Sequence, residues 1–271
     1  MSAFSLSGGR QTPRWVVSEG SFFGTAALLF AASTAVTIVW CASMSGMGGM
    51  RMPGGWTMSM MWMRMPGQTW PGAAATFLVM WVVMMVAMML PAFVPMLWRY
   101  RQAVRRTATT WLGGLTTMVC IGYFVVWAIL GMAAFTFGVA LAAAEMRVPA
   151  LARAAPVAVG LIVLMCGALQ LTAWKAQRLA CCRAPPGGGS SLRADVGTAW
   201  RYGLRLGLQC SCCCGSLTAI LLVVGVMDLR AMAVVTAAIT AERLAPAGER
   251  IARAIGVSVI GAGLFLIARG C

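Results

Sequence analysis

The chain contains no histidine, only six acidic residues, and charged side chains at no more than 10% of its length. The lack of imidazole excludes bis-histidine haem ligation, histidine-containing zinc sites and histidine acid/base catalysis. The scarcity of charge excludes an ordinary soluble domain, which at 271 residues would need far more polar surface. There is no G-x-x-x-x-G-K-[ST] motif and no phosphorylatable aspartate motif, which argues against a primary pump. No other catalytic motif is found, so the chain reads as a non-enzyme.

What is present is apolar and rich in sulfur. The apolar set makes up 61% of residues, the mean hydropathy is +0.85, and there are 22 methionines and 10 cysteines. Uncharged runs long enough to cross a hydrocarbon core of about 30 Å predict helices, because every backbone group must be satisfied internally in lipid. The expected fold is all-α, a polytopic transmembrane helical bundle of seven spans, with six as the alternative.

The spans are expected at 21–41, 73–97, 111–140, 156–174, 206–227, 231–241 and 254–268. The sixth is short for a full crossing. Residues 1–20 form a polar tail, and the first span reads as a retained helix rather than a cleaved signal. Residues 42–72 are too rich in Gly and Pro for a long helix and predict a loop. Residues 175–205, with Pro185, Pro186 and three glycines, predict a polar linker.

The net charge of +15 is carried in short runs between apolar spans, as orientation signals and lipid headgroup contacts would be, and not as a nucleic-acid surface. With the N-terminus inside, 15 of the 21 basic residues fall on the cytoplasmic side. That bias predicts an inner-membrane protein with the methionine loop outside and the linker inside.

Three sulfur constellations could carry chemistry. The loop holds Met44, Met47 and Met50 at three-residue spacing and six further methionines up to Met65, with Cys41 at its root. Thioether sulfur is a neutral soft donor suited to Cu(I); the alternative is interfacial packing beside Trp56, Trp62 and Trp70. In the second span Met80, Met84 and Met88 recur every four residues, with Met85 and Met89 one position on. This stripe could pass a soft cation or simply fill a helix interface. Pro91 and Pro95 are expected to distort the same helix.

The third is GLQCSCCCGS, holding Cys210, Cys212, Cys213 and Cys214, read as the cytoplasmic start of its helix, where the dipole would favour thiolates. Cys210 shares a face with Cys213 and Cys214, a spacing that suits linear or trigonal Cu(I). Cys181 and Cys182 in the linker could complete the site or deliver to it. Palmitoylation is the competing reading. Cys120, Cys166, Met118 and Met165 read as core. Asp228 and Glu242 are expected to be solvated or paired with a neighbour such as Arg230 or Arg243.

The blocks MWVVMMVAMMLP (Met80–Pro91), LQLTAWK (Leu169–Lys175) and CSCCCGSLTAILLVVGVMDLRAMA (Cys210–Ala233), closing in AERLAPAGER (Ala241–Arg250), resemble a family of bacterial predicted metal-binding integral membrane proteins, a domain of unknown function. The resemblance implies membrane location and a metal site. It places the family's Cys-x-x-Cys-Cys element on Cys210, Cys213 and Cys214. This chain differs from the family pattern in the extra Cys212, in Gly215 in place of tryptophan, in Asp228 in place of asparagine, and in Arg178-Leu-Ala-Cys181-Cys182, where a Cys is lost and a His is replaced by Cys.

The sequence therefore predicts a membrane protein that captures, transfers or transports Cu(I), with copper as its one expected cofactor. Its expected partners are the lipid bilayer, the metal ion, and a metallochaperone or partner membrane protein. The competing classes are a membrane thiol-disulfide oxidoreductase and a non-catalytic assembly subunit of a membrane complex.

Overall fold

The computed structural model describes residues 14–46, 50–51, 56–58, 62, 64, 67–105, 111–183 and 193–270. Among these, eight helices follow one another: α1 (Arg14–Gly46), α2 (Trp70–Val104), α3 (Leu112–Arg147), α4 (Pro149–Gln170), α5 (Ala173–Arg183), α6 (Val196–Val224), α7 (Leu229–Leu244) and α8 (Gly248–Gly270). Between α1 and α2 the two-residue strands β1 (Met50–Arg51) and β2 (Thr57–Met58) pair antiparallel. Apart from that short ladder the fold is all-helical, as expected.

Among the described residues six helices are long and apolar enough to cross a membrane: α1, α2, α3, α4, α6 and α8. Their number and length are those expected of a polytopic membrane protein. The expected sixth span corresponds to α7, whose 16 residues do not qualify as a span by length and composition.

Glycines set the helix packing. Gly122 of α3 abuts Trp200–Leu204 of α6, and Gly207 of α6 abuts Tyr123 and Val126, so α3 and α6 run parallel with their backbones in contact. Gly160 and Gly167 of α4 face Ile267 and Ile260 of α8, and Gly256 faces Gln170 and Leu171, so α4 and α8 run antiparallel. Small residues of this kind permit the close approach on which membrane helices rely for van der Waals contact. These directions require α7 to return from the far end of α6 toward the end where α8 begins.

Burial separates the centre from the lipid-facing shell. Some 61% of the most apolar stretch of α2 is buried against only 11% for α1, which makes α2 the axis of the bundle. Leu28, Phe137, Met165 and Val234 lie exposed, as lipid-facing side chains do. One end of the bundle carries Arg99, Arg101, Arg105, Arg201 and Arg205; the other carries the methionine loop.

Two expectations about local structure are corrected. The stretch 175–205 is not one linker: α5 occupies its first part, and α6 starts at Val196, ten residues before the expected Leu206. Asp195 caps α6 by accepting from the Thr198 N–H at 2.8 Å, and the arginines that follow are good helix formers that project beyond the apolar span. Residues 184–192, with Pro185, Pro186 and the glycines, lie outside the described residues. α2 runs unbroken through Pro91 and Pro95.

Candidate metal centre

The early start of α6 moves the cysteine cluster. Cys210 is the fifteenth residue of a 29-residue helix, so the cluster sits midway along α6. The helix dipole fades within the first turn, and the expected support from a helix N-terminus does not apply. The register expectation holds instead: Cys210, Cys213 and Cys214 turn inward and are fully buried, and Cys212 lies exposed on the opposite face.

Cys210 Sγ is the hub. It stands 3.9 Å from Cys214 Sγ and 4.0 Å from Met89 Sδ of α2. The Tyr123 hydroxyl of α3 donates to it at 3.0 Å, and Arg243 Nη1 of α7 donates to it at 3.0 Å. Arg243 Nη2 donates to Met96 Sδ at 2.7 Å, so this buried guanidinium bridges two sulfur atoms.

The second thiol pair is Cys213 and Cys182 of α5, two buried thiols close enough to influence each other's protonation. Cys182 is buried, and its Sγ also lies 3.3 Å from the carbonyl oxygen of Gln209. The hydrogen bond to Cys213, reinforced by burial, pushes the Cys182 thiol up from its ordinary value. Cys181, expected beside it, is exposed and takes no part in the cluster; on a helix, adjacent residues point about 100° apart.

α5 is held against the cluster by a buried ion pair. Lys175 Nζ is 2.8 Å from Glu242 Oε2 and donates to the Cys213 carbonyl oxygen at 2.6 Å, and Gln170 Nε2 donates to Glu242 Oε1 at 2.8 Å. The expectation that Glu242 pairs with its neighbour Arg243, or is solvated, is thus corrected. Asp228 instead caps α7, accepting from the Arg230 N–H at 2.8 Å and the Ala231 N–H at 3.2 Å.

A cavity of about 230 Å³ opens at the arginine-rich end. Its lining includes Pro95, Met96, Arg99, Cys182, Arg183 and Arg243, which connects the cluster's edge to the surface. Arg183 donates to the carbonyls of Arg243 and Ala245 and so ties the end of α7 to α5.

The methionine stripe of α2 divides between two surroundings. Met89 faces Cys210, Met80 and Met84 line a separate small cavity with Cys41 of α1, and Met85 and Met88 are buried in the core between them. Of the loop methionines, Met44 is half-buried at the end of α1, Met50 lies in β1, and Met47 lies outside the described residues. Cys166 is buried, as a core residue should be, whereas Met165 faces outward.

Tyr123, Met96, Lys175 and Arg243 were not foreseen as members of the site. Lys175 alone left a signal, being the only lysine beside twenty arginines and placed at the end of an apolar span.

Among the described residues no three or more Cys, Asp or Glu groups converge on one point. Around Cys210 the sulfur neighbours are one thiol, Cys214, and one thioether, Met89. Two sulfurs bound to one ion at about 2.3 Å in a trigonal plane stand about 4 Å apart, which matches the separations around Cys210. Soft sulfur of this kind suits Cu(I) and not a hard cation.

These features define a helical bundle with helices of membrane-spanning length and a buried thiol-thioether cluster. The chain matches the family model described as copper chaperone over residues 78–266, and it belongs to that family. Its role is copper-related. The matched region contains α2 from Leu78 onward, both thiol pairs, Arg243 and most of α8. No curated protein and no solved structure matches the chain.

Proposed function

We propose that this protein is an integral membrane copper chaperone of the bacterial inner membrane, which holds Cu(I) within the bundle on Cys210, Cys214 and Met89. The observation that carries the reading is the buried Cys210 thiol of a copper-chaperone family member, with the Cys214 sulfur at 3.9 Å and the Met89 sulfur at 4.0 Å. Cys213 and Cys182 form the next pair toward the arginine-rich cavity. Soft ligands exchange readily by adding an incoming sulfur before losing an outgoing one. A Cu(I) on Cys210 and Cys214 would thus be handed through Cys213 and Cys182 to a carrier at the cavity mouth, without a charged oxygen ligand in the bilayer.

The same reading sets the N-terminus and the arginine-rich end in the cytoplasm, following the positive-inside bias, and the methionine loop outside. The protein performs no catalytic step of its own: it receives Cu(I), protects it from water and passes it to a metallochaperone or a membrane partner.

The test is copper content. Protein purified without oxygen and loaded with Cu(I) is compared with Cys210→Ser/Cys214→Ser by mass spectrometry. The variant is expected to lose one equivalent. Equal copper in both preparations, or none in the wild type, would overturn the reading.

A further inference from the structure

A second set of sulfurs lies at the opposite side of the α2 stripe and is not used by the centre above. Cys41 Sγ of α1 stands 3.8 Å from Met227 Sδ, in the turn between α6 and α7. These two, with Met80 and Met84 of α2, line a cavity of about 10 Å³ whose remaining walls are Thr37 and Trp40. Cys41, Met80 and Met84 are buried.

Four sulfur atoms from three separate chain segments thus surround a space that suits a bare ion. About 10–15 Å³ is what a single water needs, and a water here would find little besides the Thr37 hydroxyl. That hydroxyl already donates to the Ser33 carbonyl oxygen at 2.7 Å.

We propose that Cys41, Met80, Met84 and Met227 form a second Cu(I) site, directly beneath the methionine loop, which receives the ion before the cysteine cluster does. The inference rests on the copper-chaperone reading above and extends it to a site made mainly of thioethers. Loading forms a Cu–S bond at Cys41 in place of its S–H bond, and the proton leaves to the medium. The Cys41 thiolate cancels the charge of Cu(I) and the methionines are neutral, so the loaded site adds no net charge to the apolar interior.

The placement supports the order of use. α1 ends, and α2 begins, at the methionine loop, and Cys41 lies five residues from the end of α1. From Met84 to Met89 is five residues of α2, a rise of about 7.5 Å, and Met85 and Met88 fill the interval. The site is thus one step along the same helix from the sulfur that faces Cys210.

The experiment compares four anaerobic preparations loaded with Cu(I) against a competing chelator: wild type, Cys41→Ser/Met227→Leu, Cys210→Ser/Cys214→Ser, and the fourfold variant. The Cys41→Ser/Met227→Leu protein is expected to hold one equivalent fewer than the wild type, and the fourfold variant two fewer. The equivalent retained at the cysteine cluster reports that the first variant is folded. Met84→Leu, which keeps the shape of the side chain, serves as a milder variant and is expected to weaken the same equivalent only.

Undiminished copper in Cys41→Ser/Met227→Leu would overturn this inference and leave the cysteine cluster standing. Undiminished copper in Cys210→Ser/Cys214→Ser, with loss in the other variant, would overturn the proposed centre and leave this site standing.

Discussion

Lys175 and Glu242 meet at 2.8 Å in the interior of the bundle, with no more than 3% of either side chain exposed. The pair joins α5 to α7 and, through the Lys175 bond to the Cys213 carbonyl, both to α6. A buried pair of this kind is poor evidence of net stabilisation, but removing one partner strands the other's charge.

Lys175→Met is therefore expected to destabilise the protein by about 3 to 5 kcal/mol, and Lys175→Met/Glu242→Gln to recover much of that loss. Thermal unfolding in detergent measures both. A single variant as stable as the wild type would show that the pair holds nothing together.

The α3–α6 seam gives a second expectation. A Cβ on Gly203 would collide with the backbone of Val119, whereas a Cβ on Gly215 of the same helix would meet nothing within 4 Å. Gly203→Ala is expected to cost roughly 1 to 3 kcal/mol from overpacking, and Gly215→Ala to gain roughly 0.5 to 1 kcal/mol from helix propensity. The same unfolding assay decides, and the opposite order of stabilities would refute the parallel backbone contact.

Adjacent cysteines offer the third. Cys181 is exposed, whereas Cys182 is buried and its thiol is pushed up by the hydrogen bond to Cys213 and by burial. A raised value means less thiolate at any given pH, and the thiolate is the form that alkylates. A water-soluble maleimide is expected to label Cys181 and spare Cys182, and raising the pH from neutral to about 9 should leave Cys182 spared. Peptide mass spectrometry reads the two sites separately; equal labelling in the folded protein would contradict the placement of Cys182.

The spans were legible in the sequence because hydropathy reports what lipid demands, and the inward face of Cys210, Cys213 and Cys214 was legible because helical periodicity fixes it. The limits of α6 were not. Its first ten residues are helical without being apolar, and only the Asp195 cap marks where it begins.

Arg243, Tyr123 and Met227 were beyond reach for a different reason. Each acquires its part through contact with a sulfur distant in the chain, at Cys210 for the first two and Cys41 for the third. No local pattern encodes such a pairing. The split of the methionine stripe between two surroundings likewise depends on which helices flank α2.

The guanidinium of Arg243 gives the cluster a resident occupant. It already touches Cys210, a ligand of the proposed centre, and Met96. Filling the centre is consequently an exchange of one positive charge for another and not a simple docking event. For an ion to settle on Cys210 in the proposed centre, the arginine would have to move aside, and the cavity it lines offers it room. In the proposed centre this tenant would shield the sulfurs from stray cations, and only a sulfur-seeking ion would displace it.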